Sequence, residues 1–422
     1  MQRPTRPPFP WADCFFSVGV TGTNGKTSTT ELCAAALRGA GHSVLVETTL
    51  GYALDGVALD VPRTEQGYLR AFEAASKVGC RHAAVEVTSQ ALAHGYAKKW
   101  RFDLGVFTNL THDHLEAHLS WEHYLASKAQ LFVHLGPGRT AVLNAADEAA
   151  QLISRATPDD VRRVWYRVPA RGPALGPVDL EARKVELSAE GTHVTLEPSP
   201  LAEALGGRLR TALVGEIFAE NALAAAAAAL AAGIEGSCVV AGIASCAVVS
   251  GRFEVVHRSP LVAIDYAHTP DALARTCDTA RRLCGSARVI VVFGAGGGRD
   301  KAKREPMGRA VGERADFALI TTDNPRQEDP GEIANALAAG CRRGGRAYAE
   351  LEPDRRKAIE RALERARSDD VVVIAGKGHE RGQIIGDRTL PFSDRDVVRE
   401  LLAQDDAGPS KPSGSSSERC ST

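Results

Sequence analysis

Short apolar runs alternate with longer helical-period stretches through nearly the whole chain, the pattern of parallel strands joined by helical crossovers. Phe15–Val20, Arg81–Val87 and Asp103–Thr108 read as strands, His42–Glu47 leads into another, and Thr27–Leu37 reads as a helix. Val178–Glu197 instead alternates apolar and polar residues around a Glu-Gly turn, which predicts an antiparallel patch at the edge of this sheet. An alanine-rich helix from Asn221 closes the first part. Leu261–Tyr266, Arg288–Phe293, Phe317–Thr322 and Asp370–Ala375 are the apolar strands of a second α/β unit, with a helix rich in Glu and Arg at Asp354–Arg367. The expected division is a Pro-rich leader (1–13), a central domain (14–248), a C-terminal domain (249–403) and a Ser/Pro-rich disordered tail (404–422).

Composition narrows the function. The 422 residues are 44% hydrophobic, enough for two domains with buried cores. Lys and Arg total 51 against 52 Asp and Glu, and aromatics make up 5%, so neither a nucleic-acid footprint nor a base-stacking platform is expected. Nine cysteines without any C-x-x-C read as reduced thiols of a cytoplasmic protein. The start, "MQRPTRPPFPWADCFF", lacks the long apolar core of a signal peptide. The longest apolar run, "NALAAAAAALAAGI", is short for a membrane span and reads as a close-packed internal helix.

Four clusters carry candidate chemistry. In "TGTNGKTS", Gly22 and Gly25 let backbone N–H groups approach phosphate oxygens, Lys26 adds a positive charge, and Thr27 offers a hydroxyl suited to Mg²⁺. The spelling departs from G-x-x-x-x-G-K-[ST], since Val20 stands where the first glycine would fall. Next, Glu86 ends an apolar strand, where a carboxylate can hold Mg²⁺ against a polyphosphate. Five of the 12 histidines lie between His112 and His134. His114 and His118 share the spacing of zinc ligands but lack a third partner, and a polar helix start capped by Thr111 with solvated histidines explains His112, His118 and His123 as well. Third, Asp265 and His268 follow a strand, as do Gly294–Gly298, trailed by Arg299, Lys301, Lys303 and Arg304 in what reads as an anion-gathering basic loop. Fourth, Asp323, Asn324, Arg326 and Glu380 offer paired acceptors and a guanidinium fork able to grip an amino acid, though a turn stabilised by Asp, Asn and Pro fits too.

In this order "TGTNGKT", "FTNLTHDHLEAH", "DYAHTPDAL", "GGRDKAKR", "DNPR" and "AGKGHE" resemble the Mur ligases, ATP-dependent amide ligases of peptidoglycan precursor synthesis, from about Phe16 to Leu402. The resemblance implies a P-loop central ATPase domain with a parallel sheet plus antiparallel patch, followed by a Rossmann-like C-terminal domain. Within the family, "DNPR" is the signature of members that add meso-diaminopimelate to UDP-N-acetylmuramoyl-L-alanyl-D-glutamate. By the same resemblance Gly22, Thr23, Asn24, Gly25, Lys26, Thr27 and Ser28 cradle the ATP phosphates, and Asn221, Arg252, Asp265 and His268 contact the nucleotide. Thr27, Glu86, His114 and a carbamylated Lys128 hold Mg²⁺, Lys26 being catalytic with the last three. Arg299, Asp323, Asn324, Pro325, Arg326, Gly376 and Glu380 hold the incoming amino acid, and Thr64 and Thr88 the carboxylate acceptor.

The acceptor side departs from the family. No segment resembles its N-terminal UDP-binding domain, so a partner could supply that grip. "PRTE" stands at Pro62–Glu65, Gln90 replaces a His, and His94 and Tyr96 occupy positions where Gln and Arg are usual; on the nucleotide side, Phe218 stands where an Asn is common. These changes leave two further expectations open: a Mur-like ligase for a different carboxylate acceptor, and a nucleotide-binding scaffold without turnover.

Overall fold

The computed structural model describes residues 14–111 and 120–406. The first sheet is built on the parallel strands β1 (Phe16–Thr21), β2 (Val44–Thr48), β5 (His82–Glu86), β6 (Leu104–Phe107), β7 (Thr140–Asn144) and β8 (Arg162–Arg167). Hairpins extend both of its edges: β3 (Gly51–Leu54) with β4 (Val57–Leu59), and β9 (Leu180–Ser188) with β10 (Gly191–Leu196) and β11 (Arg208–Thr211). The order is β11-β10-β9-β8-β7-β6-β1-β5-β2-β3-β4, eleven strands in all. β1 lies centrally, Val18 opposite Ala84 on one side and Leu104 on the other. The loop that leaves β1 therefore emerges mid-sheet at its carboxyl end, where open α/β sheets bind ligands.

The helix Lys26–Gly39 that follows packs against the alanine helix, which spans Glu216–Ala231 and is buried from Phe218 to Ala229. Alanine suits this layer because small side chains let helices approach closely on an apolar sheet. The opposite face carries an aromatic cluster in which Phe72, Trp100, Phe102 and Phe132 are at most 1% exposed. Burying a phenylalanine this fully contributes about 1.5–3 kcal/mol.

The second sheet runs β12-β13-β17-β14-β15-β16. Its strands are β12 (Glu254–Arg258), β13 (Leu261–Asp265), β14 (Val289–Phe293), β15 (Phe317–Ile320), β16 (Tyr348–Leu351) and β17 (Val371–Ala375), all parallel except β12. Helices Arg304–Arg314 and Pro330–Gly344 on this sheet touch backbone to backbone. A Cβ on Gly308 would meet the carbonyl of Leu337, and one on Gly340 the carbonyl of Glu305. A separate ribbon joins β18 (Gly382–Ile385) to β19 (Arg388–Pro391).

Some local expectations shift. The alanine helix starts at Glu216, not Asn221, and the antiparallel patch expected at one sheet edge has a counterpart at the other. The helix after the histidine-rich segment spans Trp121–Val133 and is capped by Ser120, whose Oγ accepts from His123 N; the helix start expected after Thr111 lies outside the described residues. Pro270 does open its helix, with Thr269 as cap. Among the described residues no helix is long and apolar enough to cross a membrane, and eight cysteines are free.

Candidate functional site

The loop Thr21–Thr27 is fixed from below by the strand end next to it. Thr23 N donates to Asn109 O (2.8 Å), Asn24 N to Asn109 Oδ1 (2.9 Å), and Thr108 Oγ1 to Asn24 O (2.7 Å). Gly25 caps the following helix in the left-handed region (φ 83°) and no side chain caps it, which leaves the first N–H groups of the helix for an anion. Lys26 Nζ folds back to Thr23 O at 2.8 Å. Asn221, 2% exposed, presses against Gly25, and its Nδ2 has no partner, so a buried donor points at this loop.

Thr27 is the junction of the site. Its Oγ1 donates to Glu86 Oε2 (2.9 Å) and accepts from Arg252 NH2 (3.0 Å), which arrives from the second sheet. Glu86 Oε2 also accepts from Thr49 N (3.0 Å) and Thr49 Oγ1 (3.2 Å). Hydroxyl and carboxylate oxygens held this close are hard donors of the kind Mg²⁺ takes, and the pair fits that ion. Lys128 is 1% exposed, donates from Nζ to Gly22 O (2.6 Å), and lies 4.4 Å over the Tyr124 ring.

From the second sheet, Arg252 lies 4.6 Å over the Tyr266 ring, and His268 Nδ1 sits 2.7 Å from Tyr266 O. Asp265 organises this corner: it accepts from Phe253 N (2.6 Å), Ala267 N (2.7 Å) and Thr276 Oγ1 (3.2 Å). Burial raises its pKa against the pull of Arg252. Asn24 Nδ2 also donates to Asp271 Oδ2 (3.1 Å), so the phosphate loop itself touches the second unit.

The fourth cluster closes the far wall. Asn324 Nδ2 donates to Glu380 Oε2 (2.8 Å), and its Oδ1 accepts from Ile384 N (2.9 Å). Arg326 takes a left-handed backbone (φ 54°), bridges to the ribbon through Ile384 O (3.1 Å), and donates from NH1 to Gly297 O (2.6 Å). Asp323 is 5% exposed, and burial raises its pKa despite the neighbouring Arg355 and Lys377. His379 is pushed down to about 4, first by burial and then by Arg252.

A cavity of about 300 Å³ unites these groups: Thr23–Thr27, Glu86, Thr88, Lys128, Arg252, His268, Arg299, Asp323, Asn324, Arg326, Gly376 and Glu380 all line it. A smaller one of about 90 Å³ adjoins it, lined by Gly25, Ser28, Asn221, Arg252, Asp265 and His268 among others. Gly22 sits behind the loop, against Lys128. Thr64 and Pro325 line neither cavity; Thr64 is exposed and caps the helix Glu65–Lys77 by accepting from Gly67 N. His114 lies outside the described residues. The basic loop divides: Arg299 and Lys303 line the cavity, whereas Lys301 and Arg304 pair with Glu328, which also accepts from Gly298 N. Sequence reasoning missed Thr49, Asn109 and Lys377. Lys377 stands between two glycines directly after an apolar strand, a signal that could have found it.

A phosphate loop, an oxygen-rich corner and an amino-acid-sized polar pocket in one cleft define a nucleotide-using enzyme of the acid–amine ligase class. The Mur ligase middle domain matches residues 20–229, and the Mur ligase glutamate ligase domain residues 251–378. The UDP-N-acetylmuramoyl-L-alanyl-D-glutamate–2,6-diaminopimelate ligase of Solibacter usitatus is 40% identical over 391 residues, 91% of this chain and 76% of that protein. A solved structure of an enzyme of that name is 31% identical with a TM-score of 0.64, covering 93% of this chain and 79% of the other. Folylpolyglutamate synthase of Mycobacterium tuberculosis, solved with ADP and AMPPCP, shares the fold at 20% identity and a TM-score of 0.68, covering 87% and 89%. The chain belongs to the Mur ligase family and is an ATP-dependent ligase.

Proposed function

We propose that this enzyme joins the amine of meso-diaminopimelate to the glutamate side-chain carboxylate of UDP-N-acetylmuramoyl-L-alanyl-D-glutamate, in the cytoplasm, during peptidoglycan precursor synthesis. The observation that carries the reading is the single cavity holding the phosphate loop, Glu86 and Lys128 at one end and Asp323, Asn324, Arg326 and Glu380 at the other. Residues 14–248 and 249–403 are the two lobes in this reading, closing about a hinge near Ser250.

ATP lies with its phosphates on Gly22–Ser28 and its base toward Asn221, Asp265 and His268. Thr27, Glu86, His114 and a carbamylated Lys128 would hold Mg²⁺, which when bound supplies charge neutralisation at the phosphates. Lys26 offsets negative charge that develops as the acceptor carboxylate attacks the γ-phosphorus and ADP departs, giving an acyl phosphate. Thr88, which lines the cavity, faces the acceptor in this reading. Arg326 and Arg299 fix the incoming carboxylate while Asp323, Asn324 and Glu380 face the ammonium end. The amine then attacks the acyl carbon and phosphate leaves.

A second reading, a different carboxylate acceptor, is favoured by the acceptor side. Thr64 caps a helix away from the cavity, and the Tyr96 ring packs against Tyr68 and Phe102 (5.7 and 6.0 Å between centroids). The test is ADP release with ATP, Mg²⁺ and meso-diaminopimelate over a panel of acceptors. Robust turnover with the UDP-muramoyl dipeptide removes the second reading. Turnover only with smaller carboxylates overturns the first, and ATP binding with no ADP release from any acceptor supports the scaffold.

A further inference from the structure

Beneath the wall that faces the amino acid lies a cation that does not line the cavity. Lys377 is 0% exposed. Its Nζ donates to Glu380 Oε2 (3.0 Å) and Asn324 Oδ1 (3.2 Å) and stands 3.7 Å from Asp323 Oδ1. All three of those partners do line the cavity. Behind Asp323, Arg355 and Asp394 form a fully buried pair (Nε–Oδ1 2.7 Å, NH2–Oδ2 2.8 Å), and the other Arg355 contact is Ala375 O at 2.9 Å. The cluster thus holds three carboxylates (Asp323, Glu380, Asp394) against two cations (Lys377, Arg355), an excess of one negative charge. Without Lys377 the excess would be two, and buried like charges this close resist joint ionisation.

We infer that Lys377 is a positioning residue for the incoming amino acid: it orients Asn324 and Glu380 from below and offsets part of the negative charge that the buried carboxylates gather there. This rests on the proposed reading of the pocket. An ammonium entering the wall meets a pre-oriented carboxylate and amide, so binding requires no rearrangement of either. Lys377 itself touches neither substrate nor reacting atoms.

The test compares Lys377→Met, Glu380→Gln and the double variant in the full chain, measuring ADP release with meso-diaminopimelate or ATP varied in turn. Removing one partner of a buried charge pair typically has large effects, so the K377M amino-acid KM should rise about 100-fold, while the ATP KM stays near wild type. The losses in the double variant should fall short of multiplying, because part of what Lys377 does runs through Glu380. An unchanged amino-acid KM, a parallel rise in both KM values, or losses that multiply in the double variant would each overturn the inference. If K377M does not fold, Lys377→Gln, which keeps a donor but loses the charge, is measured the same way: an amino-acid KM at the wild-type value overturns the inference, and a rise of at least about tenfold with the ATP KM unaffected upholds it. Wild-type enzyme that uses no diamino acid removes the pocket reading and the inference together. Wild-type turnover with indifferent variants removes the inference alone.

Discussion

Replacing Gly25 with alanine puts a methyl carbon 2.5 Å from Asn221 Oδ1, on a backbone already in the left-handed region. The backbone alone costs about 1–2 kcal/mol for a residue with a Cβ. The contact is too short to keep, so either Asn221 leaves its rotamer, about 0.5–1.5 kcal/mol, or the loop lifts off Asn109. Both routes disturb the N–H groups meant for the phosphates, and both must be reversed for ATP to bind. Some 2–3 kcal/mol charged to the binding-competent state raises the ATP KM about 30–150-fold. Gly41→Ala is the internal control: it shares the backbone (φ +81°) but nothing lies within 4 Å of its added methyl. It should lose about 1–2 kcal/mol of stability and keep its ATP KM. The assay pairs ATP titrations of ADP release with thermal melts of both variants. A Gly25→Ala enzyme with wild-type ATP KM would refute the cradle, whatever its melting temperature.

Three further outcomes follow from the geometry. Lys128→Ala should lower kcat about 100–1,000-fold and regain part of it with bicarbonate or chloride; equal activity in Lys128→Arg, which keeps the charge but cannot be carbamylated, removes that role. Asp394→Asn leaves Arg355 buried without its counter-charge and should cost about 3–5 kcal/mol in denaturant unfolding, and a loss below about 1 kcal/mol would contradict the burial argument. His379 is held neutral in the fold down to about 4 against an ordinary 6.5. The unfolded chain therefore takes up the extra proton first, and stability falls as pH drops from 6.5 toward 4. His379→Gln should flatten that part of the profile relative to wild type, and a parallel profile would exclude the residue.

Many of the parallel strands were legible because burial on both faces makes them continuous apolar runs; β13, β14, β15 and β17 lie within one or two residues of the expected bounds, whereas β7, β8 and β16, the last two carrying charged residues, were not read. The short edge strands β3 and β4 were missed, although Asp55-Gly56 between the runs Tyr52–Leu54 and Val57–Leu59 is a hairpin signal. In the site, residues leaving strand ends were readable from position, as with Glu86 and Asp323. Roles that depend on packing were hidden. Lys301 and Arg304 look equivalent to Lys303 in sequence, yet Glu328, distant along the chain, claims them. Thr64 carries the residue type of a ligand contact, yet its hydroxyl serves the helix beginning at Glu65.

The glycine contacts between helices Arg304–Arg314 and Pro330–Gly344 act as a ruler for the pocket. One helix continues the loop that carries Arg299 and Lys303, and the other follows the loop that carries Asn324 and Arg326. With Gly308 and Gly340 packed against opposing carbonyls, the helices cannot slide closer, and any side chain at either position would wedge them apart. Pocket width is thereby a property of bare backbone, set apart from the side chains at the loop tips. Changes of amino-acid preference in this lineage should accordingly arise at those tips, and enlargement of either glycine should loosen every substrate alike.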